Sequence, residues 1–478
     1  MRKYSSLHEI RKDMANGQVT CRQLVGYYLK NIKEKAELNA FLEVFEESAY
    51  AQADAVDKKI AHGTAGKLAG MVVGIKDVLA YEGHTLQASS KILDGFKSLY
   101  TATAVKRLLA EDAIIIGRQN CDEFAMGGSN ENSAFGPALN ADDTARVPGG
   151  SSGGSAVAVQ ADLCYASLGS DTGGSVRQPA SFCGIVGLKP TYSRISRYGL
   201  IAYASSFDQI GLITRNVEDA ALLLEVIAGP DDFDSTVSHR EVPAYSKQLK
   251  SDKKYKIGYI RDCFEREGLD EEVKDCILGV KNMLKDDGHT VEAVEFPYLD
   301  YIVPTYYILT TAEASSNLGR YDGVKYGFRS PNVTDLSSLY KKTRSEGFGE
   351  EVQRRIMLGT FVLSADYYDA YYTKAQQVRR LIKEKTDELL QAYDFLILPT
   401  APTTAFKIGE NTENLLAMYL ADIFTVQASL AGVPAISIPV GRDEKGLSIG
   451  LQLMARSFDE SQLLAFSNTI MEKITVEV

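Results

Sequence analysis

Cysteine is sparse and scattered: Cys21, Cys121, Cys164, Cys183, Cys263 and Cys276 contain no Cys-x-x-Cys pair. Neither a disulfide framework nor a metal site is therefore expected. Basic charge is in deficit, with 52 Lys and Arg against 63 Asp and Glu and a net charge of −11. That argues against this chain alone gripping a polyanion, because phosphate contacts need clustered cationic side chains. No apolar run is long enough to span a bilayer, and the opening MRKYSSLHEIRKDMANGQ is too polar for a signal peptide, so a cytoplasmic protein without a membrane partner is expected. Histidine is also rare. His8, His62, His84, His239 and His289 all lie outside glycine-rich or apolar catalytic settings, and each reads as a surface residue. A serine nucleophile usually takes its base from histidine, so the scarcity leans away from a Ser–His–Asp arrangement.

What is present is a stretch from Val147 to Pro190 with two Gly/Ser clusters, Gly149 to Ser155 and Gly173 to Ser175. A helix-like segment (Ala156 to Leu163) and a strand-like one (Tyr165 to Leu168) lie between them. Consecutive glycines weaken both helix and strand, so two such clusters imply backbone that approaches something closely. A glycine-rich turn aims several N–H groups at one developing negative oxygen, which suits a hydroxyl nucleophile with its oxyanion hole. Neither cluster fits the phosphate loop G-x-x-x-x-G-K-[ST]. Gly149 to Gly153 matches G-x-S-x-G, but the preceding NADDTARVP reads as loop where a nucleophile elbow needs a strand. Two solvated glycine-rich turns remain the plain alternative.

Along the chain, residues 1–60 read as helical, with Ser6 and Thr20 as caps and Leu24, Tyr27, Tyr28 and Ile32 at helical spacing. Strand-type runs follow in LAGMVVGIKDVLA and AIIIG, the latter preceding a long loop, CDEFAMGGSNENSAFGP. Residues 255–296 alternate strand, helix, strand. From Pro304 to Gly349 the chain reads as tyrosine-rich and irregular, then as two helices, making 300–390 a helical and irregular region. Buried strands are expected at DFLILPT and AISIPVG, with a helix from Glu413 to Leu430 between them. No internal repeat or linker divides the chain. The expected architecture is one large α/β domain over residues 1–478, a mixed, mostly parallel central sheet covered by helices.

Lys76 stands inside the apolar run, flanked by Ile75 and Val78. A snorkelling or ion-paired lysine is the ordinary explanation. The chemical one is that burial disfavours the ammonium and leaves a neutral amine able to act as a base. With GIKD upstream, GGSSGGSAVAVQADLCYASLGSDTGGSVRQPASFCGIVGLKP resembles the amidase signature family. That resemblance implies the family fold and a Ser–cis-Ser–Lys triad: Ser175 as acylated nucleophile, Ser151 as bridging serine and Lys76 as base. Ser152 supports the network, and the N–H groups of Thr172, Gly173, Gly174 and Ser175 hold the oxyanion.

Within the family, DEFAMGGSNENSAFGP, RISRYGLIAYASSFDQIG, EASSNLGRYDGVKYG, RRIMLGTFVLSADYYDAYY and LPTAPTTAF are similar to the glutamine-hydrolysing subunits of tRNA-dependent amidotransferases. The resemblance implies a heterotrimer with a B subunit, which binds most of the tRNA and uses ATP and Mg²⁺, and a small C subunit. No cofactor is implied for this chain. It also implies a glutamine pocket, with Arg355 for the α-carboxylate, Asp422 for the α-ammonium, Tyr306 as lining, and Met126 and Gly127 as further candidates. A free-standing amidase acting on another amide is the alternative.

Overall fold

The structure, a computed structural model, describes residues 2–411 and 415–477. Among them eleven strands form one sheet. In chain order these are β1 (Phe41–Val44), β2 (Val72–Lys76), β3 (Ile114–Gln119), β4 (Ala166–Asp171), β5 (Val186–Lys189), β6 (Gln209–Thr214), β7 (Lys256–Ile260), β8 (Thr290–Val294), β9 (Phe395–Pro399), β10 (Ala435–Arg442) and β11 (Ser448–Met454). Their order across the sheet is β1-β3-β2-β4-β6-β5-β10-β11-β9-β7-β8. The sheet is mixed as expected, but its weighting differs from the sequence reading. Parallel pairing is confined to β2 with β3 and β4, and to β7 with β8 and β9. The other six neighbouring pairs are antiparallel. Alternation of strand and helix is visible in sequence, whereas strand direction depends on crossovers that are not.

Helices cover the sheet because β2, β3, β4, β6 and β9 are buried along their whole lengths and need apolar cover on both faces. The N-terminal helices start where their caps predict. Ser6 accepts from Glu9 N, and Thr20 forms a reciprocal capping box with Gln23. The helical reading of residues 1–60 misses β1, a four-residue edge strand between two helices.

The region read as irregular from Pro304 instead begins inside a 19-residue helix, Leu299–Asn317. Proline removes one backbone donor there. Burial of Ile302, Val303, Tyr306, Tyr307, Leu309 and Thr310 holds the helix together regardless. A helix buried on nearly every side has no polar stripe, so its sequence shows little periodicity. The helix expected from Glu413 to Leu430 is two short ones, Leu415–Leu420 and Val426–Ala431. Asp422 lies on the turn between them, and Glu413 lies outside the described residues.

Candidate active site

The carboxyl ends of the parallel trio β2, β3 and β4 converge, the usual position for a ligand crevice in such a sheet. β2 ends on Lys76, β3 runs into Asn120 to Asp122, and β4 ends on Ser170 and Asp171. The loop carrying Ser151 and Ser152 leads into the helix Gly153–Gln160 behind this edge, and the Gly150–Ser151 peptide is cis.

Lys76 is completely buried. Its Nζ lies 2.6 Å from Ser151 Oγ, 3.0 Å from Ser152 Oγ and 3.0 Å from Ser170 Oγ. Ser152 is committed elsewhere, since its hydroxyl donates to the Ser170 carbonyl at 3.1 Å. Burial pushes the Lys76 ammonium down to about 8, against the opposing pull of Cys121, Asp122, Asp171 and Asp208 nearby. The neutral amine is therefore far more accessible near neutral pH than it is for an exposed lysine.

Ser175 sits at the mouth of this cluster with its residue 8% exposed, and its Oγ makes no hydrogen bond among the described residues. Its carbonyl accepts from Ser152 N at 3.1 Å, which locks the two serine loops together. The turn before it is fixed from beneath. Asp171 receives Arg177 bidentately, at 2.9 Å through NH2 and 3.0 Å through Nε. Burial pushes the Asp171 carboxyl up, and the Arg177 guanidinium outweighs it, leaving the group below the usual carboxylate range. Thr172 Oγ1 donates to Asp208 at 2.7 Å. The N–H groups of Thr172, Gly173, Gly174 and Ser175 donate to nothing among the described residues, so four donors are left for a ligand.

Of the other residues expected in the pocket, Tyr306 packs on this turn. A Cβ on Gly173 would lie 2.6 Å from the Tyr306 hydroxyl, so the phenol packs directly on the turn and only glycine fits. Arg355 is buried on the helix Glu350–Val362. Its Nε donates to Glu351 at 2.7 Å and its NH1 to the Tyr203 hydroxyl at 2.9 Å, which leaves NH2 without a partner among the described residues. Asp422 faces Gly128, where a Cβ would lie 3.7 Å from both carboxylate oxygens. Burial pushes its carboxyl up to about 7, with Arg355 pulling the other way. Met126 is wholly buried in the core, and Gly127 packs on the Asp122 carboxylate, where a Cβ would come within 2.3 Å.

Several supporting residues went unread in the sequence. Gln178 accepts from Gly150 N at 2.9 Å and donates to Gly128 O at 2.8 Å, joining the Ser151 loop to the Met126 loop. Asp122 accepts from Asn130 N and Asn132 N. The available signal for Ser170 and Asp171 is polar side chains closing an otherwise apolar strand. Two of the histidines read as surface residues are half-buried. His84 stacks on Tyr81 with ring centroids 4.5 Å apart, and His289 accepts from Tyr255 N. Neither joins the cluster around Lys76.

A buried amine beneath three hydroxyls, with free N–H groups alongside, is machinery for acyl transfer without histidine. The family description Amidase matches residues 23–464, and the chain belongs to the amidase family. Over 465 residues it is 52% identical to the A subunit of glutamyl-tRNA(Gln) amidotransferase from Chlorobaculum parvum, covering 97% of this chain and 96% of that protein. Among solved structures, the A subunit of the same amidotransferase from Thermotoga maritima is 40% identical with a TM-score of 0.76, over 93% of this chain and 90% of that one. The native peptide amidase of Stenotrophomonas maltophilia is 27% identical with a TM-score of 0.81, over 97% and 96%.

Proposed function

We propose that this chain is the ammonia-releasing, glutamine-hydrolysing subunit of a tRNA-dependent amidotransferase that converts Glu-tRNA(Gln), Asp-tRNA(Asn) or both. The observation that carries this reading is a pair of buried opposite charges that act on one another, Arg355 and Asp422, the second on a turn whose Thr425 is hydrogen-bonded to Gly173 beside Ser175. Arg355 has a free NH2, and the Asp422 carboxylate has no hydrogen-bond partner among the described residues. Free glutamine brings an α-carboxylate for the first and an α-ammonium for the second.

In the mechanism, neutral Lys76 takes the Ser151 proton while Ser151 takes that of Ser175. Ser175 Oγ then bonds to the carboxamide carbon. Charge on the carbonyl oxygen is met by the N–H groups of the Thr172–Ser175 turn. On collapse the C–N bond breaks, and the proton held by Lys76 returns through Ser151 to the departing nitrogen, which leaves as ammonia. Water attacks the resulting γ-glutamyl ester by the same route, giving glutamate and free Ser175. The ammonia passes to a B subunit, which uses ATP and Mg²⁺ to activate the aminoacyl-tRNA and carries most of the tRNA contact, with a small C subunit completing the heterotrimer. The net charge of −11 supports that division. Among the described residues no helix is long and apolar enough to cross a membrane, and a cytoplasmic site of action goes with the reading.

The test is ammonia release from glutamine by the chain assembled with its two partner subunits, against asparagine and simple aliphatic amides. Glutamine is expected to be preferred by at least about 100-fold; equal turnover of all amides would favour a general amidase. Asp422→Asn removes a charge-assisted contact of about 1.5–3 kcal/mol and is expected to raise KM for glutamine about 10- to 150-fold, with a smaller change in kcat. An unchanged KM would remove Asp422 from the pocket.

The pH profile follows from the two groups. Asp422 must be ionised and Lys76 neutral, and each condition is met as pH rises. Log kcat/KM is expected to climb with a slope near two below about 7, with a slope near one from about 7 to 8, and then to level. Asp422→Asn is expected to lose the lower step and keep the upper. A rate that falls from pH 6 to 8 would contradict both assignments.

A further inference from the structure

Thr425 is fully buried, three residues past Asp422 on the same turn. Its Oγ1 lies 2.7 Å from the Gly173 carbonyl oxygen and 3.0 Å from that of Asp422. A hydroxyl has one proton to give, and the shorter contact takes the larger share. The fit is close: at Gly174, with φ of 145°, a Cβ would lie 2.2 Å from Thr425 Oγ1. The Gly173–Gly174 peptide is planar and trans, so a carbonyl held toward Thr425 turns the Gly174 N–H to the opposite side. The next peptide is held in the same way, because the Gly174 carbonyl accepts from Gln178 N at 2.9 Å and thereby orients the Ser175 N–H.

We propose that Thr425 is a positioning residue for the oxyanion hole. Its hydroxyl fixes the direction of the Gly174 N–H, and its place on the Asp422 turn ties the ammonium-binding carboxylate to the acylating serine. The inference rests on Ser175 as nucleophile, and in its second half on glutamine as substrate. A Thr425 without its hydroxyl lets the Gly173–Gly174 peptide rotate, which weakens stabilisation of the transition state and leaves ground-state contacts to glutamine in place.

Two measurements on the full chain with its partner subunits test this. One is kcat and KM for ammonia release from glutamine. The other is the rate at which a simple alkyl fluorophosphonate labels Ser175. In that labelling Ser175 Oγ bonds to phosphorus, the P–F bond breaks, fluoride leaves, and the hydroxyl proton passes through Ser151 to Lys76. The phosphoryl oxygen then occupies the same N–H cradle. Losing one such donor outright costs about 10²–10³ in kcat, so misdirecting one in Thr425→Val is expected to lower kcat and the labelling rate about 10- to 100-fold. KM is expected to stay within about threefold, and Thr425→Ser to bring both rates back to within about threefold of wild type.

The inference is overturned if Thr425→Val stays within about twofold of wild type in both rates, or if Thr425→Ser is as impaired as Thr425→Val. Should Thr425→Val fail to fold by circular dichroism, Thr425→Ala is compared with Thr425→Ser by the same criteria. A wild type that is labelled but releases no ammonia from glutamine would sink the glutamine reading, and the labelling rates would then decide the role of Thr425.

Discussion

Ser175→Ala is expected to lower glutamine hydrolysis by at least about 10⁴-fold, which is about 5 kcal/mol or more of lost transition-state stabilisation. The loss is that large because no other hydroxyl takes over. Ser151 and Ser152 both sit on the amine, and Ser152 spends its proton on the Ser170 carbonyl. The fold is expected to be indifferent. Ser175 Oγ has no partner among the described residues, so its removal orphans nothing, and stability is expected to change by less than about 1 kcal/mol. Glutamine binding is expected to stay within a few-fold of wild type, because Arg355, Asp422 and Tyr306 are untouched. Ammonia release, thermal unfolding and a quenched-flow mass spectrum check the three parts. Wild type shows a γ-glutamyl adduct and Ser175→Ala shows none. Residual turnover within about 100-fold of wild type would place the nucleophile elsewhere.

The parts of the site legible in sequence are those where a residue breaks its local pattern. A lysine in the apolar run of β2 and hydroxyls among consecutive glycines both stand out, because each is costly unless something requires it. The supporting residues follow their patterns instead. Ser170 ends a strand as any serine does, and its contact with Lys76 exists only because β2 and β4 are parallel neighbours. Asp171 and Arg177 meet across a glycine turn that sequence spacing does not reveal. Glu351 and Arg355 are separated by four residues on a helix, the spacing of an ordinary solvent-exposed ion pair. In the structure both are buried, so the pair holds the Arg355 guanidinium in place inside the protein. The fold divides in the same way. Caps and apolar runs placed most helices and strands, though not β1 or the break between Leu415–Leu420 and Val426–Ala431, whereas pairing direction and the all-round burial of Leu299–Asn317 are tertiary facts without a local signature.

Lys76→Arg and Lys76→Met are expected to separate the two things a buried cation can do. Arginine keeps a positive charge and donor groups, but it does not lose its proton at any pH the protein survives. Methionine keeps an unbranched side chain of similar reach and has neither charge nor basicity. If Lys76 acts as the proton acceptor, both variants are expected to lose about 10³–10⁴ of kcat/KM, at the upper end of what general-base catalysis supplies. Both are also expected to lose the limb of the pH profile near about 8, since that limb is the titration of the amine itself. If positive charge alone were needed, the arginine variant would retain activity within about tenfold and the methionine variant would not. The chemistry demands the first pattern. Lys76 meets its hydroxyls at 2.6 to 3.0 Å with the ammonium already destabilised by burial. A fixed guanidinium there would donate to Ser151 Oγ without being able to receive its proton, which leaves Ser175 with no route for its own.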